Sequence, residues 1–224
     1  MQSNPNSIAS GTGVVFMDFN GDSHDGGPQG SASDFEAVIP LTLTSLPGVS
    51  QFDLGDNPAG TAFNSDSGPS TSISFSNDPN AADMWDTSND MLNDGFFFRG
   101  AEGATTVTIN FDALADNTEH QLFLFTGRTG LTGHDTQFDF DGTLADPGAM
   151  DAVAAVFEFV SGIDQTSLTF QWLDPGNPNA DPDRILSGVA IVQIEAVPEP
   201  SAVLMWIVAG LFAALFVRRS FMQR

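Results

Sequence analysis

Three oxygen-bearing side chains, Asp18, Asn20 and Asp22, stand at alternate positions where an apolar stretch runs into a Gly-rich one. Calcium takes a shell of hard oxygen ligands, and this spacing is how the first half of a calcium loop begins. Asp25 adds another oxygen ligand, but no Gly follows Asp22 and the twelfth position is Gln29 rather than Glu. The expectation is a plain Asp/Asn turn and no assured cofactor, with a structural calcium held by Asp18, Asn20 and Asp22 as the alternative. Asn177 to Asp183 forms a second oxygen-rich stretch of the same ambiguous kind. Trp85, between Met84 and Asp86, is the candidate ligand-binding residue, because an exposed indole beside carboxylates makes a stacking platform for sugars. A core tryptophan is the other reading. His24, His120 and His134 have no metal-ligand spacing such as His-Glu-x-x-His. His120 opens an apolar run and His134 sits among glycines, so both read as surface residues. The chain has no cysteine, which excludes a thiolate metal site, a cysteine nucleophile and a disulfide framework.

Gly21-Asp22-Ser23 after an apolar stretch resembles the nucleophile block of the Gly-Asp-Ser esterases. That resemblance implies an α/β fold and an Asp-x-x-His pair near the C-terminus. Here the last histidine is His134, and the residues after Ser23 are loop-like rather than helical. Carboxylates are abundant enough to supply a glycosidase pair, but no spacing singles out two of them. No catalytic residue is assigned, and the chain is read as a non-enzyme.

The elements that must position these residues are strands. Thr106 to Phe111, Gln137 to Asp141 and Ser167 to Trp172 alternate apolar and polar residues, as half-buried strands do. Further strands are expected at Val14–Phe19, Ala37–Leu43, Thr71–Ser76, Phe96–Arg99, Gln121–Thr126, Ala155–Val160 and Val189–Glu195. Ala149 to Val160 also admits a short helix. About ten short strands separated by Gly, Pro, Asn and Asp clusters predict an all-β sandwich or jelly roll. The stretch Thr105 to Gly130, a strand, an Asp-rich turn and an apolar strand ending in Gly127-Arg128, resembles carbohydrate-binding-module-like or galactose-binding-like sandwiches. That resemblance implies fold more than ligand.

Charge divides the chain. It carries a net −23 with no lysine, and all 29 acidic residues lie at or before Glu199. Such a body repels nucleic acid and anionic lipid, so neither is an expected partner. From Ala202 to Val217 sixteen residues carry no charge, followed by Arg218 and Arg219. As a helix this run spans roughly 24 Å, close to the 30 Å or so of a hydrocarbon core. Basic residues after the span predict that its end faces the cytoplasm and the acidic body lies outside. Ahead of the span, Val197, Pro198, Glu199 and Pro200 break regular structure and leave an extended peptide.

This order of Val-Pro-Glu-Pro, apolar span and Arg-Arg cluster resembles the PEP-CTERM sorting signal. The resemblance covers only the end of the chain. It implies a precursor held in the inner membrane, an exosortase (a membrane cysteine transpeptidase) that cuts near the motif, and delivery to the cell surface or extracellular matrix. It also implies a secretory signal peptide, which Met1 to Asn6 does not provide. The expectation is a start codon further upstream. The domains are then 1–195, an exported acidic β-sandwich, and 196–224, the sorting and anchor segment.

The leading functional expectation is a non-catalytic surface or matrix protein whose sandwich binds a polymer such as polysaccharide. A secreted hydrolase acting on an extracellular polymer is the alternative. An ice-binding surface, found on some proteins with this tail, needs a flat array of regularly spaced threonines, and the linear sequence has no such repeat.

Overall fold

Strict alternation and unbroken apolar runs mark two kinds of strand, and the chain sorts them into two sheets. The computed structural model describes residues 10–20, 30–53, 60–83, 94–98, 104–126, 136–147, 154–173 and 184–195. Within them fifteen strands and one short helix form, so the body is all-β as expected. Ser10–Ile194 makes one compact unit.

The first sheet runs β12 (Ala154–Val160), β9 (Glu119–Phe125), β15 (Gly188–Ile194), β1 (Ser10–Asn20), β2 (Thr42–Ser45). A further strand, β3 (Val49–Asp53), pairs in parallel with the second half of β1. The central strands of this sheet read Leu122–Phe125 and Val189–Val192 without a polar break. Such strands need cover on both faces. Inward, Val15, Met17, Leu122, Leu124, Val189 and Ile191 enter the main core. Outward, Phe16, Phe123, Phe125, Ala190 and Val192 are covered by α1 (Ala32–Val38). Phe35 of α1 stacks on Phe16 at 4.6 Å and meets Phe125 edge-on at 5.6 Å.

The helix corrects one expectation. A strand was expected over Ala37–Leu43, whereas α1 continues to Val38 and β2 begins only at Thr42. The Asp34 carboxylate accepts the Ser31 backbone N–H at 2.7 Å, tying down the start of the helix. Pro40 then stops it. At Ala154–Val160 the strand reading holds over the helical one, because all seven residues pair with β9.

The second sheet runs β11 (Thr143–Ala145), β10 (Gln137–Phe140), β13 (Ser167–Leu173), β8 (Thr105–Asn110), β5 (Ser72–Phe75), β4 (Ala62–Asn64), antiparallel throughout. Its strands alternate. Ile73, Val107, Ile109, Phe138, Phe170 and Trp172 point inward and join the same core as the first sheet. A third, three-stranded sheet of β14 (Arg184–Leu186), β7 (Asp94–Phe98) and β6 (Asn80–Asp83) adds Phe96 and Leu186 to it. Two six-stranded sheets therefore share one apolar core, the packing of a β-sandwich.

Five strands were not expected from the sequence: β3, β4, β6, β11 and β14. None places two large apolar residues at alternate positions, as the equally short β5 and β10 do. No helix among the described residues is long and apolar enough to cross a membrane, and the expected span at 202–217 lies outside them.

Candidate binding face

Asp18 is 2% exposed near the end of β1. Its Oδ2 accepts the Gly30 backbone N–H at 2.7 Å, while Gln51 Nε2 donates to the Gly30 carbonyl at 2.6 Å. Asp18 and Gln51 are register partners on β1 and β3, so two strands grip the peptide that leads into α1. Asn20 ends β1, and Asp22 lies outside the described residues, as do Asp25 and 177–183. Among the described residues no three His, Cys, Asp or Glu side chains gather as a metal site would. Trp85, His24, His134, the motif residues Val197, Pro198, Glu199 and Pro200, and the basic pair Arg218 and Arg219 also lie outside the described residues.

His120 differs from expectation. It was read as a surface residue and is fully buried. Its strand, β9, is an interior one, flanked by β12 and β15, with Phe159 and Gln193 opposite His120. The ring stacks on Phe159 at 5.3 Å, and Nδ1 donates to the Thr118 carbonyl at 2.8 Å. Nε2 is buried without a hydrogen-bond partner. Burial pushes the imidazole below its ordinary pKa, and the Thr118 bond only partly opposes it.

The face with the capacity to bind is the outside of the second sheet. Because β5, β8, β13 and β10 alternate strictly, burying one set of residues presents the other to solvent. Register then aligns the outward residues in rows across the strands. One row is Asn64, Ser72, Asn110 and Ser167. The next is Ala62, Ser74, Thr108 and Thr169. The third is Thr106, Gln171, Asp139 and Leu144. With strands about 4.8 Å apart and rows about 6.6 Å apart, each row is about 14 Å long and the three rows span about 13 Å, the third displaced by two strands toward β11.

Hydrogen bonds run along the rows and hold the side chains in place. Asn110 Nδ2 donates to Ser72 Oγ at 3.0 Å, and the Thr108 and Thr169 hydroxyls meet at 3.0 Å. Thr106 and Gln171 exchange bonds at 3.2 and 3.0 Å. Side chains already tethered this way lose less rotamer freedom when a ligand arrives. Only Asp139 in the three rows is ionisable, on a chain with 29 acidic residues. Leu144, 62% exposed, closes the third row with an apolar edge.

Sequence reading missed this face because it asked for a linear threonine repeat. The available signal was the identity of the outward residues in Thr106–Asn110 and Ser167–Gln171, which are Ser, Thr, Asn and Gln where a solvated strand ordinarily carries Lys and Glu. A separate small cleft of about 70 Å³ is lined by Val14, Gly48, Ser50, Pro69, Phe111 and Asp112 among others, and Asp112 is its sole ionisable lining residue.

No family model matches the chain, and no curated protein matches it. Solved structures with a similar arrangement include that of the plant peptide RALF23 in complex with FER and LLG2, at 13% identity and a TM-score of 0.39, covering 82% of this chain and 49% of that one. The ANX2 ectodomain from Arabidopsis thaliana is similar at 12% identity and a TM-score of 0.32, covering 47% of this chain and 34% of its own. A carbohydrate-binding module specific for non-crystalline cellulose, CBM28, aligns at 7% identity and a TM-score of 0.13, over 53% of this chain and 72% of the module. The chain spans between 32% and 49% of the length of these two plant structures and of that of the plant Receptor-like Kinase ANX1, which it also matches.

Proposed function

We propose that this chain is a non-catalytic binding protein of the bacterial cell surface or extracellular matrix, whose sandwich attaches to an extended polymer, polysaccharide foremost. The observation that carries the reading is the outer face of the second sheet, an open grid of mostly hydroxyl and amide groups with one carboxylate on an otherwise acidic protein. An open sheet face suits a ligand that is itself long and shallow, since neither partner needs a pocket.

Delivery follows from the tail. The inner membrane holds the precursor through 202–217, with the body outside the cytoplasm. Exosortase then cuts near Val197-Pro198-Glu199-Pro200, and the sandwich passes to the surface or matrix. Two measurements test the reading. Mass spectrometry of the C-terminal peptide from host envelope and medium is expected to find a mature end near Pro198 to Ser201. Co-sedimentation with insoluble polysaccharides is expected to retain the protein without shortening the polymer. An intact tail in the inner membrane overturns the processing step, and release of oligosaccharides makes the protein a hydrolase instead.

A further inference from the structure

We infer that the three-row face is a site for a neutral, unsubstituted polysaccharide chain lying across β5, β8 and β13, parallel to the rows, and that it rejects polyanions. The inference rests on the polymer-binding reading and names the ligand class and the site residues.

Hydrogen-bond chemistry selects the class. Hydroxyl and carboxamide groups both donate and accept, as sugar hydroxyls do, so either orientation of a chain finds partners. Sulfated or uronic-acid polymers call for Arg or Lys at the contact. The rows contain neither, and the surrounding body is negative, so polyanions meet repulsion with no local compensation. Asp139 accepts only, which suits it to receiving hydroxyl protons at one end of the third row.

Geometry selects the direction. Neighbouring strands are about 4.8 Å apart, close to the length of one pyranose ring, whereas the rows are farther apart along each strand. A chain laid along a row therefore places one ring over each strand. The side-chain bonds Asn110 to Ser72 in the first row and Thr108 to Thr169 in the second run in that same direction, so a chain along either row meets one ordered pair. At the end of the third row Leu144 offers its apolar surface to the C–H face of a ring. Ice fits less well. The face mixes Ser, Thr, Asn, Gln and Asp rather than repeating one group, so it offers no lattice match.

The test uses the full chain in detergent micelles and measures binding to soluble neutral mixed-linked β-glucan, dextran, polygalacturonate and dextran sulfate. Thr169→Asp and Thr108→Asp each place a carboxylate in the middle row. Ala37→Asp adds the same charge to the exposed side of α1, remote from the grid, and Thr169→Val removes a hydroxyl without adding charge. Thermal melting of each variant separates lost binding from lost folding. At least one neutral glucan is expected to bind and the polyanions not. Thr169→Asp is expected to weaken binding at least about tenfold, Thr169→Val less, and Ala37→Asp by less than about twofold. Preference for a polyanion, or wild-type affinity in both row variants, overturns the assignment and leaves polymer binding standing. Failure of the wild-type protein to bind any polysaccharide overturns both, and shaping of ice crystals by that same protein makes the grid an ice-contacting surface instead.

Discussion

His120 illustrates how one side chain writes a pH dependence into the fold. Its Nδ1 donates to Thr118, while its buried Nε2 has no hydrogen-bond partner among the described residues, so the folded state disfavours the protonated ring. Its pKa is lowered below 6.5, first by desolvation. The unfolded chain then takes up a proton near its ordinary value while the folded one does not, so stability is complete above that value. It is lost as pH falls from 6.5 toward the lowered folded pKa. Replacing the ring isolates the effect from the many carboxylates. The wild-type protein is expected to lose more Tm between about pH 8 and about pH 5 than His120→Gln does, measured by thermal unfolding at several pH values. Equal slopes for the two proteins would refute the buried neutral ring. Trp172 carries a different load. It is fully buried, with Phe138 at 6.2 Å and Phe75 at 6.3 Å, and Trp172→Ala is expected to cost about 3–5 kcal/mol in urea unfolding.

At the scale of elements, the first sheet depends on a helix too short to be stable alone. Seven residues make about two turns, and such a helix persists only by tertiary packing. Phe35 supplies that packing against Phe16 and Phe125. Phe35→Ala is expected to lower stability by about 3 kcal/mol and to raise binding of a hydrophobic dye, as the outer aromatic cluster opens to water. β1 has a constraint of its own. A Cβ on Gly13 would lie 2.6 Å from Pro47 Cδ and 3.1 Å from the Ser45 carbonyl oxygen. The register with β15 also shifts between Gly13 and Val15. Gly13→Ala is therefore expected to cost about 1–3 kcal/mol by overpacking, read from the same unfolding curves.

For the whole molecule the dominant fact is charge. A net −23 spread over one sandwich and its tail repels itself in the compact state. Salt is expected to help. Raising sodium chloride from about 0.02 M to about 0.5 M shortens the Debye length below the spacing of surface charges, and Tm is expected to rise by several degrees. A flat or falling Tm would mean that the carboxylates are already compensated in the fold. Against that charge the polar grid stands out, because Asp139 is the sole acidic residue in its three rows.

Local pattern by itself determined the class of the fold. Alternation at Thr106 to Phe111, Gln137 to Asp141 and Ser167 to Trp172 made those segments strands whatever they paired with, because a pleated backbone exposes every second residue. Unbroken runs such as Leu122–Phe125 were legible as strands too, but not that α1 would cover them, since Ser31, Asp34 and Pro40 signal a helix only weakly beside the apolar residues that follow. β3, β4, β6, β11 and β14 were invisible because pairing, not periodicity, creates them. His120 was misplaced for a similar reason: β9 became an interior strand only when β12 and β15 closed on either side. The polar grid belongs wholly to the tertiary structure. Thr108 and Thr169 are 61 positions apart, and Asn110 and Ser72 are 38 apart. Each residue type was in plain view, but antiparallel register alone put them side by side, because only hydrogen-bonded strands convert distant sequence positions into adjacent rows.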